Sequence, residues 1–97
     1  MNPFHTENWN RLPEHCRDGL ARYIEHGIPP GSFLTALLSN DLSETFGRAD
    51  ETNQNAIRDY VVFLHCDAPA PCWGSPTKVA LWIERGGLVG HDAEVSA

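Results

Sequence analysis

Five polar side chains fall within one short stretch of the chain: Asn40, Asp41, Arg48, Asp50 and Asn53. An arginine offers a planar fork for phosphate or carboxylate, and amides and carboxylates read the hydroxyl and amide edges of a ligand. Further on, Pro71-Cys72-Trp73-Gly74-Ser75-Pro76 sets an indole beside a helix start. An indole can stack on a base or sugar, and the free N–H groups of a helix start suit an anion. If they converge, Arg48, Asn40, Asp41, Asn53, Trp73 and Ser75 line a pocket for a small, nucleotide-like ligand. Each residue also has a simpler use. Asp41 and Asp50 can cap helices, at about 1 kcal/mol apiece. Arg48 can pair with one of them, Asn40 and Asn53 can satisfy loop backbone, and Trp73 can plug the core. Spacing alone does not make the six side chains meet.

Other chemistries find weaker support. His15-Cys16, His65-Cys66 and Cys72 raise the question of zinc. Structural zinc uses tight Cys/His pairs with two to four residues between ligands, and adjacent residues on a helix point apart. No metal and no cofactor is therefore expected. Cys72 near a helix start could be a low-pKa thiol. No local pattern ties His15, His65 or His91 to it as a base, and the common phosphate-binding, zinc-protease and serine-hydrolase motifs are missing. The chain is read as a binder, not an enzyme.

The elements that would position these groups are helices. Leu12, Cys16, Leu20, Tyr23 and Ile24 make one helical stripe from about Arg11 to His26, with Pro13 in the first turn and Gly27 as terminator. After the rigid Ile28-Pro29-Pro30-Gly31 turn, Ser32 is placed as the cap of a short helix, Phe33 to Ser39. Asn40 suits a left-handed exit. Asp41, with Glu44 three residues on, caps a helix carrying Leu42 and Phe46 to Gly47. Asp50 caps a longer helix, Glu51 to about Cys66, whose face is Ala56, Ile57, Tyr60, Val61 and Leu64. Ser75-Pro76 opens the last helix, with Val79, Trp82 and Ile83 buried and Gly86-Gly87 as its stop. The expectation is an all-α bundle of four to five helices with short turns. Residues 1–10 are expected to be loosely ordered, 11–87 to form one helical domain and 88–97 to be a flexible tail.

Ninety-seven residues, 41% hydrophobic and 21% charged, suffice for one globular domain with a thin core. Self-association is one way for so small a domain to extend that core, so a homo-oligomer is an open expectation. Thirteen acidic against seven basic residues give a net charge of −6, which opposes binding to nucleic acid or an anionic membrane. A helix-turn-helix reader is set aside as well, because Arg58 stands nearly alone among acidic neighbours. The longest apolar run, Tyr60 to Leu64, is far short of a membrane span. Met-Asn-Pro-Phe-His has neither the basic start nor the apolar stretch of a signal peptide. An odd number of cysteines argues for free thiols.

Several motifs together resemble a group of short proteins encoded by tailed bacteriophages and prophages: His26-Gly27-Ile28-Pro29-Pro30-Gly31-Ser32-Phe33-Leu34, Asn40-Asp41-Leu42, Arg48-Ala49-Asp50 and Cys72-Trp73-Gly74-Ser75. No established activity attaches to that group, so no residue role is carried over. The resemblance implies a phage origin and expression in the cytoplasm of a bacterial host. Two functions then compete. One is a ligand-binding module that sequesters a nucleotide-type host signal. The other is a protein-interaction module that blocks a host enzyme or defence effector. The first predicts a polar cavity that includes Arg48, the second an exposed apolar patch.

Overall fold

A computed structural model of the chain describes residues 3–90. Within them all regular structure is helical: α1 (Glu7–Asn10), α2 (Glu14–His26), α3 (Ser32–Leu38), α4 (Leu42–Arg48), α5 (Glu51–Asn55), α6 (Ile57–Cys66) and α7 (Pro76–Arg85), with 3₁₀ turns at Pro3–His5 and Ala70–Cys72. The all-α expectation holds, with more and shorter helices than the sequence pattern suggested. No helix among the described residues is long and apolar enough to cross a membrane.

Local chemistry accounts for most boundaries. Asp41 accepts the Glu44 N–H (3.2 Å), Asp50 the Asn53 N–H (2.7 Å) and Ser75 the Lys78 N–H (3.1 Å), so three expected caps are present. Pro76 occupies the first turn of α7. Gly27 ends α2 with a φ of 69°, and a Cβ there would sit 2.9 Å from backbone atoms of Trp82 and Gly87. Asn40 has a φ of 62°, the left-handed exit expected of it.

Other boundaries move. Pro13 lies before α2, not in its first turn, because its ψ of 130° is extended. Gly31 is the N-cap of α3, and Ser32 is that helix's first residue. The long helix expected from Glu51 to Cys66 breaks at Ala56, whose N–H turns back to Asn53 C=O (3.1 Å), three residues earlier. Asn53 and Asn55, both poor helix formers, stand just before the break. Beyond it, Tyr60, Phe63 and Leu64 are buried while Val61 turns outward, 46% exposed.

Residues 3–10 also depart from the expected loose order, since they are part of the fold, while residues 1–2 lie outside the described residues. Trp9 is buried between Phe4 (4.8 Å between ring centroids) and Phe63 (5.2 Å). Thr6 and Asn8 both donate to Asp67 Oδ2 at 3.0 Å, which ties α1 to the end of α6. At the other end, residues 87–90 are helical and Leu88 packs against the core. The remainder of the expected tail, 91–97, lies outside the described residues.

Trp82, Tyr23, Tyr60, Phe63 and Leu20 fill the centre. The polar atoms of Trp82 and Tyr23 are paired, as low polarity requires. Trp82 Nε1 donates to Tyr23 C=O (2.9 Å), and Tyr23 Oη donates to Cys72 C=O (2.6 Å). Gly74 N–H donates to Leu38 C=O (2.8 Å). The Cys72-Trp73-Gly74-Ser75 segment is thereby spliced to α2 and α3, and its last residue starts α7.

Candidate functional site

Five of the six sequence-selected residues divide among three hollows of the described surface. Arg48 and Asp41 line an open depression of about 450 Å³ beside α3 and α4. Asn40 and Trp73 line an apolar groove of about 240 Å³ between α4 and α6. Asn53 lines a cleft of about 510 Å³ between α2, α3 and the start of α5. Ser75 lines none of these three and serves as the α7 cap. The geometry brings together two pairs and leaves two residues apart. The cleft and the depression meet at Ser32, which lines both.

Arg48 does not pair with Asp41 or Asp50. Its Nε donates to Glu44 Oε2 at 2.8 Å, one turn back on α4, where both side chains are more than half exposed. Neutralised and solvated there, it is a weak anchor for an anion. Trp73 is half-buried against the core, so it closes the groove floor.

The cleft around Asn53 is built differently. Asn53 is 5% exposed, and its side chain is held from two sides. Tyr60 Oη donates to its Oδ1 at 2.8 Å, and Cys16 Sγ lies 3.6 Å from Oδ1 and 3.5 Å from Nδ2. A phenol that donates must meet the carbonyl edge, which fixes the amide orientation and leaves the NH2 edge beside a sulfur, a weak acceptor. The amide NH2 meets no other acceptor among the described residues. Burial, and then Cys16 alongside, raises the Tyr60 pKa well above the usual phenol range, so the phenol stays a donor.

Charges ring the cleft. His15 Nε2 stands 3.4 Å from Asp50 Oδ2 at one end. Asp50 thus serves twice, because its other oxygen caps α5. Asp18 and Arg22 also line the cleft, four residues apart on α2. That spacing favours an ion pair. Glu7–Arg11 (3.7 Å) and Glu44–Arg48 (2.8 Å) use it elsewhere in the chain. Asp18 and Arg22 form no ion pair, with each other or with any described residue. Gly19 lies between them and also faces the cleft, and a Cβ there would meet only Leu34 Cδ1, at 3.8 Å. A glycine inside a helix costs about 1 kcal/mol relative to alanine. Here it leaves the cleft wall low above Phe33 and Leu34.

Sequence reasoning missed Asp18, Gly19 and Arg22, and it weighed His15 only as a metal ligand or base and Ser32 only as a helix cap. The signal for them is a helical one: His15, Asp18, Gly19 and Arg22 stand at i, i+3, i+4 and i+7 of α2, a single face with a glycine in its middle. Among the described residues no group of three or more His, Cys, Asp or Glu side chains could hold one metal ion. All three thiols are free: Cys16 beside the cleft, Cys66 exposed and Cys72 in the core, where burial pushes its pKa up to about 12. A thiol held protonated is a poor nucleophile. No protein-family model, no curated protein and no solved structure matches the chain.

Proposed function

We propose that the chain is a binding module for a small, polar, nucleotide-type ligand, held in the cleft between α2, α3 and α5. The observation that carries this reading is the open pair. Asp18 and Arg22 stay apart at the rim of a hollow, both exposed, while the other two pairs of opposite charges at four-residue spacing, Glu7–Arg11 and Glu44–Arg48, close. An unpaired guanidinium, an unpaired carboxylate and the Asn53 amide make a set that a ligand with both donors and acceptors satisfies. Phe33 and Leu34 give the cleft an apolar wall for a flat ring. About 510 Å³ falls within the range of small-molecule sites. The depression that holds Arg48 and Asp41 adjoins it at Ser32 but lies outside the proposed site, with Arg48 already paired to Glu44.

The reading is of binding without turnover. No hydrogen bond joins His15 to Cys16 among the described residues, and each is engaged elsewhere. The setting implied by the motif resemblance, a phage protein that sequesters a signal in a host cytoplasm, belongs to the same proposal. The competing reading, a host-protein antagonist, has its own support in Leu42, Phe46 and Val61, which are 69%, 50% and 46% exposed.

Native mass spectrometry of protein purified from a bacterial host, followed by calorimetric titration with a panel of nucleoside mono- and diphosphates, tests the cleft. The expected result is one bound small molecule per chain, with affinity at least tenfold weaker in Arg22→Ala. Arg58→Ala should bind as the unaltered chain does, because Arg58 lines none of the three hollows. Protein that carries nothing and binds no member of the panel would remove the proposal.

A further inference from the structure

The groove between α4 and α6 differs from the other two hollows. No charged side chain lines it. Leu37, Ile57, Leu64 and Trp73 form its walls, with Leu42 and Val61 on the rim. Phe46 lies one turn beyond Leu42 on α4 and is half exposed, outside the groove. The only buried residue of α4 is Thr45, so the helix turns its two large apolar side chains outward. Exposing an apolar helix stripe while burying a threonine inverts the usual amphipathic pattern. Such an inversion marks a surface that is covered by something else.

We infer that the cover is a second copy of the chain, joined by a two-fold axis that lays each Phe46 into the other copy's groove. Three features favour this occupant. A two-fold contact needs a projection and a recess on the same face, and Phe46 and the groove supply them side by side. The recess, about 240 Å³, is several times the ~30 Å³ share of one water and has room for an aromatic ring. Charge gives the second argument. A chain of net charge −6 repels its own copy, and an uncharged face is where two copies approach at least cost. Area gives the third. Leu42, Phe46 and Val61, 69%, 50% and 46% exposed, are the apolar side chains this face presents beside the groove walls. A standard interface needs about 800 Å² from each partner. The patch therefore supplies the apolar centre and the surrounding polar surface supplies the rim. Such a contact belongs toward the weak end for its class. The proposal is independent of the ligand reading, because the groove and the cleft share no lining residue.

The inference makes an unusual statement about salt. Screening weakens the repulsion between two acidic copies, so added salt should tighten the dimer. A basic partner protein on the same face would show the opposite dependence. Sedimentation velocity over about two decades of concentration, at low and high salt, reads both quantities. The expected result is a monomer–dimer equilibrium that shifts toward dimer with salt. Phe46→Ser and Val61→Lys should each weaken it at least tenfold while leaving the helical circular dichroism unchanged, since both residues are exposed in the monomer. Leu81→Ser, at an equally exposed apolar position on α7 outside the groove, should leave it intact. A monomer at every concentration and salt would overturn the inference. So would a dimer indifferent to Phe46→Ser and Val61→Lys, which would place the contact elsewhere. Association of the chain with a different protein through this face, without dimer formation, would also overturn it.

Discussion

Asp18–Arg22 on α2 and Glu44–Arg48 on α4 have the same spacing on the same kind of helix, yet one pair is open and the other closed. On α4 the pair stands in solvent and neutralises itself at 2.8 Å. On α2 the pair borders a cleft with a buried, pinned amide and forms no ion pair. The junctions from Asp41 to Asp50 show the same local closure, because each carboxylate finds an N–H three residues along the chain. A polar group answered within a few residues is explained by its own helix. Where no such partner stands nearby, as for Asp18 and Arg22, the group keeps its charge unpaired, and the binding proposal rests on that.

High pH should break the comparison most severely, because it attacks the buried groups behind both regions. Cys72 has a folded pKa raised from 9.0 to about 12, chiefly by burial. Burial likewise raises Tyr23 and Tyr60 above the phenol range. The folded state holds these protons more tightly than the unfolded state does. Stability is therefore full below the unfolded thiol pKa near 9.0 and is lost as pH climbs toward 12 and beyond. Each tenfold difference in proton affinity corresponds to about 1.4 kcal/mol, so several kcal/mol are at stake. Denaturant melts at stepped pH should show a flat response through neutrality and a steep alkaline fall. Cys72→Ala should remove the part of that fall that begins near 9.0.

Next in size is the amide that backs the cleft. Asn53→Ala strips the Tyr60 hydroxyl of its acceptor in a buried site, a loss of about 1–3 kcal/mol. Tyr60→Phe in the same background should restore part of it, since the orphaned hydroxyl is then gone. Chemical denaturation of the two single variants and the double variant reads this directly. Additive losses would mean that the two side chains do not act as a unit.

Gly19 gives a smaller effect of opposite sign. Alanine there meets Leu34 Cδ1 at an ordinary 3.8 Å, so Gly19→Ala should stabilise α2 by about 0.5–1 kcal/mol. Gly19→Leu should fill the cleft and weaken ligand binding without unfolding the chain. A gain in melting temperature beside a loss of affinity is what a glycine retained for space predicts. The smallest effect belongs to the closed pair. Arg48→Ala should cost no more than about 0.5 kcal/mol and leave binding in the cleft almost unchanged.

Helix chemistry was largely legible in the sequence because its signals are local. Asp41, Asp50 and Ser75 cap as their neighbours require, Gly27 and Asn40 take left-handed exits, and Pro76 opens α7. What escaped was set by contacts far along the chain. Trp9 orders the first residues through Phe63, more than fifty positions away. The break at Ala56 allows the Asn53 amide to meet Tyr60, which no periodicity reveals. Leu42, Phe46 and Val61 sit at helical spacing and read as core, but the burial of Thr45 and Phe63 turns them outward. The candidate site was half legible. Asn53 was found by residue type, whereas Asp18 and Arg22 look like ordinary surface charges until the cleft between α2, α3 and α5 is visible. Arg48 drew notice for its motif, and Glu44 beside it supplied the plainer use.

The most direct measurement is calorimetric titration of nucleoside mono- and diphosphates into three proteins: the unaltered chain, Arg22→Ala and Arg48→Ala. The account predicts saturable one-to-one binding to the first, at least tenfold loss for Arg22→Ala, and near-original affinity for Arg48→Ala. Equal losses from both substitutions, or binding that survives Arg22→Ala intact, would contradict it.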